Sequence, residues 1–308
     1  MEISRHKESW AAVALLMVNL IYGASHVLAK GVMPGYLTPT VFIFFRVFGA
    51  VILFWMVSFV TGIKKFERVD FLRLLVCGLF GVTVNQLLFF HGLNASTPMN
   101  AGIIMAINPI MVAVLSFCWL KERLKPAQWV GIVIGFLGAF ALTTYGSKSV
   151  EAKLGDWFLI GNSLSYAIYL IAVKPLMQKY NPLHVITWVF SFGCIFLALF
   201  PPLYTDLPET NFGMIPAAIW VKIVFVVVAV TFLTYLLTVV GLKYVSSTFA
   251  AVFIYVQPIF VIAFSFIFFI IGWSADYTHA INQTTLIFML IIFFGVYLTT
   301  QRSTQQLK

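Results

Sequence analysis

The sequence predicts an all-α polytopic membrane protein with ten transmembrane helices, and its composition is the first evidence for this class. Of the 308 residues, 61% are apolar and only 9% are charged, and the mean hydropathy is +0.99. An average soluble chain contains about 25% charged residues. Because a span needs roughly 20 mostly apolar residues, ten spans use about 200 residues and leave only short connectors. The composition therefore leaves no room for a separate soluble domain.

Glycine, proline and charged clusters divide the chain into ten apolar runs, and each run is predicted to be a helix. Backbone polar groups in hydrocarbon must be bonded internally, and the alternating pattern of barrel strands is absent. The first run, from Ser9 to Lys30, is too long for a signal-peptide core and lacks a cleavage site, so we expect it to be retained. The predicted helices cover residues 9–30, 38–62, 69–92, 98–119, 127–145, 156–178, 182–204, 215–241, 247–272 and 283–301.

Lysine and arginine are unevenly divided between alternate connectors, and this imbalance predicts the orientation of the helices. With the N-terminus in the cytoplasm, the outer connectors hold only Lys30, Lys148 and Lys153, while Arg46 and Lys222 lie inside apolar runs. Both chain ends are therefore expected in the cytoplasm. The inner set has fourteen members: Arg5, Lys7, Lys64, Lys65, Arg68, Arg73, Lys121, Arg123, Lys125, Lys174, Lys179, Lys243, Arg302 and Lys308.

An internal repeat divides the chain into two five-helix halves, residues 1–147 and 148–308. Residues 92–117 align without gaps on residues 241–266, and residues 22–30 align on residues 166–174. An odd number of spans per repeat inserts the second copy in the opposite orientation. The matched pairs include Gly92 with Gly241, Ala101 with Ala250, Pro109 with Pro258, Ser116 with Ser265, Tyr22 with Tyr166 and Lys30 with Lys174.

The connector charges agree with this inversion. The connector after the second helix contains Lys64, Lys65 and Arg68 and is strongly basic. Its counterpart after the seventh helix contains Asp206 and Glu209 and no lysine or arginine. Copies of one connector on opposite sides of the membrane are expected to carry opposite charge bias.

Short motifs occur in the same order in the two halves. The first half contains Tyr22-Gly23-Ala24-Ser25, Lys30, Arg46, Asn108-Pro109, Lys121-Glu122, Gly131, Gly135 and Gly138, and the second contains Tyr166, Lys174, Gln257-Pro258 and Gly295. In this order the motifs resemble the EamA family of the drug/metabolite transporter superfamily, over nearly the whole chain. The second half departs from the family pattern, since it lacks the Lys-Glu pair and an arginine matching Arg46.

The resemblance implies a secondary transporter of a small organic metabolite, with export of amino acids or related compounds as the leading expectation. It would lie in the cell membrane with the lipid bilayer and a small-molecule substrate as partners, with a homodimer as a possibility and no nucleic-acid partner. The rival interpretation is a non-transporting membrane scaffold or receptor. The sequence contains no phosphate loop, clustered histidines or Ser-His-Asp order, so an enzyme, a cofactor and a metal site are not expected.

Eight residues are the candidates for substrate binding, because polar groups inside a membrane span are costly and often functional. Arg46 is the deep cation, and the alternative is that it snorkels or fixes helix ends. The amides of Asn108 and Gln257 would face a central cavity, or each motif would serve only as a proline kink in its helix. The tyrosines would form an aromatic wall or mark an interface. The set is Tyr22, Ser25, His26, Arg46, Asn108, Tyr166, Tyr169 and Gln257; Pro109, Pro258, Gly131, Gly135 and Gly138 are assigned structural roles.

All ten acidic residues are predicted in connectors, termini or helix ends, so a buried carboxylate proton relay is not expected. His26 and His91 are then the deep groups that titrate near neutral pH, although a satisfied core histidine is the commoner case. Facilitated diffusion, exchange or histidine-linked proton coupling is favoured. Asn85, Gln86 and Asn100 are expected to form hydrogen bonds between helices.

Overall fold

The computed structural model describes residues 2–62, 66–121, 123–146, 149–242 and 256–300, with side chains for 10–62, 66–119, 121, 123–146, 149–238 and 256–300. Within these ranges every regular element is helical. Eight helices are long and apolar enough to cross a membrane, and a ninth span results if two helices joined at an 81° bend are counted as one. The all-helical membrane class is therefore confirmed.

The helices follow the predicted order along the chain. They are α1 Glu2–Val32, α2 Pro39–Thr61, α3 Arg68–Ala95, α4 Pro98–Met105 and Asn108–Leu120, α5 Pro126–Gly146, α6 Val150–Lys179, α7 Pro182–Ala198, α8 Ala217–Phe225, Val226–Leu233 and Thr234–Leu242, α9 Gln257–Ile270, and α10 Gln283–Thr300. The predicted beginning of the ninth helix, residues 247–255, lies outside the described residues.

Three predicted helix boundaries are wrong, and the first helix begins at Glu2 rather than at residue 9. The seventh helix ends at Ala198 rather than at residue 204, and the chain turns into a short helix, Pro202–Glu209. Pro201 and Pro202 lack the backbone N–H that would continue the first helix. The sixth helix begins at Val150, six residues before the predicted start, because Ser149 caps it by accepting a hydrogen bond from Ala152 N (3.0 Å).

Both α3 and α8 contain a π-helical segment. The segments are Leu79–Thr83 and Val226–Leu233. When the two halves are aligned with Gly92 on Gly241, the first segment falls within the sequence range of the second. A π-helical turn widens the helix and reorients the side chains that follow it, and such turns are frequent at functional sites. The matching positions fit the internal repeat.

Glycines allow α5 and α10 to cross with their backbones in contact. A Cβ atom placed on Gly131 would lie 2.5 Å from Gly295 O and 2.7 Å from Thr299 N. Gly135 faces Ile110 and Gly295, and Gly138 faces Ile292. At this distance there is no room for a side chain, so small residues are required for the crossing.

Contacts at the helix ends identify which ends share a side of the bundle. Lys30 Nζ, at the end of α1, donates to Asn94 O at the end of α3. Lys222 Nζ, in the second turn of α8, donates to Trp273 O just after α9 (2.7 Å). Gly31 lies close to the Lys222 ammonium, since a Cβ placed on it would be 3.8 Å from Nζ. We call this the Lys30 side.

The opposite ends are held by other polar contacts. Asp70 Oδ2, at the start of α3, accepts from Lys179 Nζ and Tyr180 OH, both at 2.8 Å, where α6 ends. Gln128 Nε2, in the first turn of α5, donates to Thr299 O near the end of α10 (2.9 Å). We call the ends near Asp70 the Asp70 side. Helix α3 thus runs from the Asp70 side to the Lys30 side, and α6 runs back.

The glycine crossing gives a stability prediction. Gly131→Ala should lower the free energy of unfolding by about 1–3 kcal/mol, because the added methyl meets backbone atoms that cannot rotate away. Gly161→Ala is the matched control: its Cβ would meet Leu88 Cδ1 at 3.4 Å, an ordinary contact, and alanine favours the helix. The thermal midpoint of each purified variant in one detergent is the measurement. Equal midpoints would contradict the backbone-contact assignment.

Candidate functional site

The centre of the bundle contains a buried guanidinium held by side chains from two other helices. Arg46, in α2, is 6% exposed. Its Nε donates to Thr231 Oγ1 in α8 (2.7 Å) and its Nη1 donates to Gln86 Oε1 in α3 (2.9 Å). The guanidinium carbon lies 5.0 Å from the centre of the Phe90 ring. Both hydrogen-bond acceptors are neutral, and no carboxylate among the described residues forms an ion pair with Arg46.

This geometry excludes the snorkelling alternative for Arg46, since the guanidinium is bonded inside the bundle. Its partners were not foreseen from the sequence. Gln86 was expected to bond between helices, which is confirmed, but Thr231 is one of many hydroxyl residues in apolar runs and carries no distinguishing signal. Its position in the α8 π-helical segment brings the hydroxyl to Arg46.

Tyr22 of α1 and Tyr235 of α8 lie near the guanidinium, and two tyrosines of α6 lie near these. Tyr22 OH accepts a hydrogen bond from Thr234 Oγ1 (3.2 Å), and the rings of Tyr166 and Tyr169 lie 6.0 Å apart. Arg46 is within electrostatic range of Tyr22 and Tyr235, and Tyr22 is within range of Tyr166. We call Arg46 and these tyrosines, Tyr22, Tyr166, Tyr169 and Tyr235, the central polar cluster.

Tyr235 is a member of the central cluster that the sequence reasoning missed. The signal was available, because the spacing that aligns Gly92 with Gly241 also aligns Gln86 with Tyr235. These two repeat counterparts approach Arg46 from opposite halves of the chain. Because their residue types differ, matching residues alone do not reveal the pair.

Four buried side-chain polar atoms have no hydrogen-bond partner among the described residues, and two of them, on His26 and Asn108, belong to the predicted binding set. His26 Nδ1 lies 2.6 Å from Tyr22 O, which leaves Nε2 as the free acceptor of the ring, and this atom is buried without a partner. Asn108 Oδ1 is likewise buried and unpartnered. Buried polar atoms are usually satisfied, so each of these positions needs an explanation. His26 is also within electrostatic range of Arg46.

Asn108-Pro109 and Gln257-Pro258 both stand where a helix begins. Helix α4 is interrupted at Ala106 and Ile107, and its second part begins at Asn108. The described part of α9 begins at Gln257, which is 8% exposed. The ring nitrogen of Pro109 cannot donate to Met105 O, which explains why α4 breaks here.

Some candidates lie apart from Arg46. Ser25 Oγ donates to Tyr22 O (2.9 Å), so its hydroxyl is bonded within its own helix. Gln257 and Asn108 belong to α9 and α4, which cross where Gly102 meets Pro258: a Cβ placed on Gly102 would lie 3.6 Å from Pro258 Cα. The first part of α4 thus packs against the beginning of the described part of α9, and the two amides are not among the hydrogen-bond partners of Arg46 in the described chain.

The expectation that every carboxylate lies at a surface or helix end is wrong for Asp156. Its side chain is completely buried, in the second turn of α6. Ser96 Oγ donates to Asp156 Oδ1, and Asn100 Nδ2 donates to Asp156 Oδ2 (3.2 Å). Gly92 and Gly155 allow this approach, since a Cβ on either would lie 2.8 Å from the other's carbonyl oxygen. The error came from starting the helix at residue 156.

A further histidine is buried near a helix end. His184, in the first turn of α7, is only 4% exposed. His91 Nε2, on one of the two histidines predicted deep within a span, lies 3.5 Å from Thr40 Oγ1 and is within electrostatic range of Asp206.

Fold and site together define a polytopic helical membrane protein with a charged, aromatic interior. The sequence profile of the EamA-like transporter family matches residues 9–144 and 153–301. The chain belongs to this family, and it is a transporter homologue with membrane-spanning helices.

Individual relatives agree with the family assignment. An uncharacterized transporter of Bacillus subtilis, YyaM, is 28% identical over 261 residues, covering 82% of this chain and 84% of the relative. A probable terminal-alkyne amino-acid exporter of Streptantibioticus cattleyicolor is 24% identical over 168 residues, covering 51% and 56%. One crystal structure shares the fold with a TM-score of 0.60 at 14% identity, over 95% of this chain and 97% of that one.

The buried carboxylate gives a second stability prediction. Asp156→Ala should lower the free energy of unfolding by about 1–3 kcal/mol, because Ser96 and Asn100 lose their acceptor in a closed environment. Asp156→Asn should cost less, since the amide oxygen still accepts. Asp206→Ala is the control, because the half-buried Asp206 carboxylate accepts from Thr38 Oγ1 (2.8 Å) at the protein surface. Thermal midpoints measure the three effects; an equal loss at Asp206 would refute the burial argument.

Proposed function

We propose that this protein is a secondary transporter of amino acids or related small organic compounds, and that it exports them across the cell membrane. The main observation that supports this proposal is Arg46, a buried guanidinium bonded to neutral Gln86 and Thr231. A substrate carboxylate is the anion of choice for a guanidinium, because the two form parallel charge-assisted hydrogen bonds. The neutral acceptors would hold the cation in place while the site is empty.

The remaining groups suit the other parts of an amino acid. His26 Nε2 and Asn108 Oδ1 are buried acceptors that an ammonium or hydroxyl group of the substrate would satisfy. Tyrosine rings offer a flat apolar wall and, with their electron-rich faces, attract a cation. The substrate-binding set is therefore proposed to be Tyr22, Ser25, His26, Arg46, Asn108, Tyr166, Tyr169 and Gln257, extended by Tyr235.

The proposed architecture is ten spans in two inverted five-helix repeats, residues 1–147 and 148–308. Matching π-helical segments in α3 and α8 and matching amide-proline motifs in α4 and α9 support the repeat. Tyr22 and Tyr166, which are repeat counterparts, lie within electrostatic range of each other, as groups near a pseudo-twofold axis would. With both chain ends cytoplasmic, the Lys30 side is the outer side.

The rival function is a membrane scaffold or receptor that does not transport. A buried cation with neutral partners costs desolvation energy, and hydrophobic packing would avoid this cost. Such a cation is therefore not expected in a protein that serves only as a scaffold. The coupling mechanism is proposed to be facilitated diffusion, exchange or proton coupling through His26 or His91. The buried Asp156 adds a carboxylate to the groups that a coupling study should vary.

Substrate flux is the test of the proposed function. Proteoliposomes containing the purified protein are screened with radiolabelled amino acids. At least one amino acid should cross the membrane of these vesicles faster than it crosses that of vesicles without protein. Arg46→Lys should then reduce transport about tenfold, because an ammonium cannot reproduce the paired hydrogen bonds of the guanidinium. Arg73→Lys is the matched control, since the Arg73 side chain is 54% exposed and lies 3.7 Å from Asp70 Oδ1. Absence of flux across the screen would favour the scaffold.

Reporter fusions test the orientation. Fusions after Lys65, Ser147 and Lys308 should report cytoplasm, outside and cytoplasm, because five spans precede Ser147 and ten precede Lys308 in the proposed topology. An outside signal after Lys308 would eliminate the ten-span arrangement.

A further inference from the structure

A shallow pocket of about 330 Å³ opens on the Lys30 side, away from the central polar cluster. Helix α1 contributes Lys30, helix α8 contributes Lys222, and the connector after α9 contributes Trp273 and Tyr277. Tyr36, from the turn between α1 and α2, completes the aromatic part of the lining. Two lysines and three aromatic residues thus line one small volume.

The two lysines are bonded to carbonyl oxygens rather than paired with carboxylates. Lys30 Nζ donates to Asn94 O, and Lys222 Nζ donates to Trp273 O at 2.7 Å. A carbonyl oxygen carries only a partial charge, and each ammonium has three hydrogens to donate. No carboxylate in the described part of the chain forms an ion pair with either lysine.

The acid nearest in sequence is bonded to its own turn. Asp276 Oδ1 accepts from Thr278 N (2.8 Å) and from Thr278 Oγ1 (2.6 Å). These hydrogen bonds hold the pKa of Asp276 below its usual value and fix the carboxylate on Thr278. Asp276 is therefore ionised beside the pocket without contacting either ammonium.

We propose that this pocket is a binding site for a small organic anion with a flat apolar part, such as an aromatic carboxylate. The ammonium groups of Lys30 and Lys222 would bind the carboxylate, and Tyr36, Trp273 and Tyr277 would contact the ring. Both lysines lie near the ends of candidate spans, where an ammonium group reaches the membrane surface and is accessible to a soluble anion. This proposal rests on the proposed function, because the pocket would be a second binding site for the transported substrate.

The pocket is aligned with the central cluster along α1. Lys30 follows Tyr22 by eight residues, or about 12 Å at 1.5 Å per residue. A carboxylate released by Arg46 would thus meet the next positive charges roughly two turns further along the same helix. The two binding sites would favour the passage of anionic substrates over cationic ones toward the Lys30 side.

Binding is tested without transport, with 4-fluorobenzoate and 4-fluorobenzylamine as probes of opposite charge on one ring. The protein is placed in phosphatidylcholine nanodiscs, and each probe is titrated by fluorine NMR. The benzoate should bind and the benzylamine should not. Lys30→Gln and Lys222→Gln should each weaken benzoate binding about tenfold, the loss of one charge-assisted hydrogen bond. Lys222→Arg should retain binding because it keeps the charge.

Lys174→Gln is the matched control, since Lys174 is the repeat counterpart of Lys30 and is exposed on α6. Equal binding of the two probes, or an equal loss in Lys174→Gln, would overturn the proposal. Adding phosphatidylglycerol to the nanodiscs distinguishes the sources of the anion. Competition with benzoate in the wild type but not in Lys222→Gln assigns the site to an anionic headgroup, and no competition assigns it to a soluble carboxylate.

Failure of this proposal is separable from failure of the proposed transport function. Benzoate binding that depends on the lysines, without flux of any screened compound, would uphold the pocket and refute transport. Amino-acid flux that is unchanged in Lys30→Gln and Lys222→Gln, together with no benzoate binding, would refute the pocket and leave transport intact. Monodisperse elution of each variant shows that the substitution has not unfolded the protein.

Discussion

A positive charge buried among membrane helices is the constraint on which the centre of this protein depends. A guanidinium inside an apolar bundle is costly unless its donors are bonded. Arg46 meets this requirement through Gln86 and Thr231, so α2 is tied to both α3 and α8. Because both acceptors are neutral, the charge itself is held in place but not neutralised. That combination is what makes the centre suitable for an anionic group.

Close backbone contact elsewhere in the bundle allows the polar groups to converge. Gly92 and Gly155 bring α3 against α6, and this approach places the Asp156 carboxylate beside the turn between α3 and α4. Gly131 and Gly295 do the same for α5 and α10. Without a hydrophobic driving force between helices in lipid, such contacts and interhelical hydrogen bonds supply the association energy. Gly92 and Gly155 are therefore both packing residues and the condition for burying the Asp156 carboxylate.

Charge is distributed differently at the two sides of the bundle. On the Asp70 side, Lys179 lies 2.6 Å from Glu67 and 2.8 Å from Asp70, so opposite charges are paired. On the Lys30 side, Lys30 and Lys222 bond to carbonyl oxygens. Paired charges hold helix ends together, whereas ammonium groups on carbonyls remain able to attract an anion. The lysines on the two sides thus differ in the charge of their bonding partners.

The sequence by itself determined the all-helical membrane class, the family, the order of the helices and the positions of the amide-proline motifs, because these follow from local composition and spacing. It also indicated the interhelical role of Gln86, Asn85 and Asn100. Tertiary structure alone decided that Thr231 approaches Arg46 and that Asp156 is buried. These outcomes depend on the rotation of one helix against another, set by π-helical turns and glycine contacts. Such rotations leave no trace in the hydropathy of either helix, since a buried and an exposed polar residue look the same along the chain.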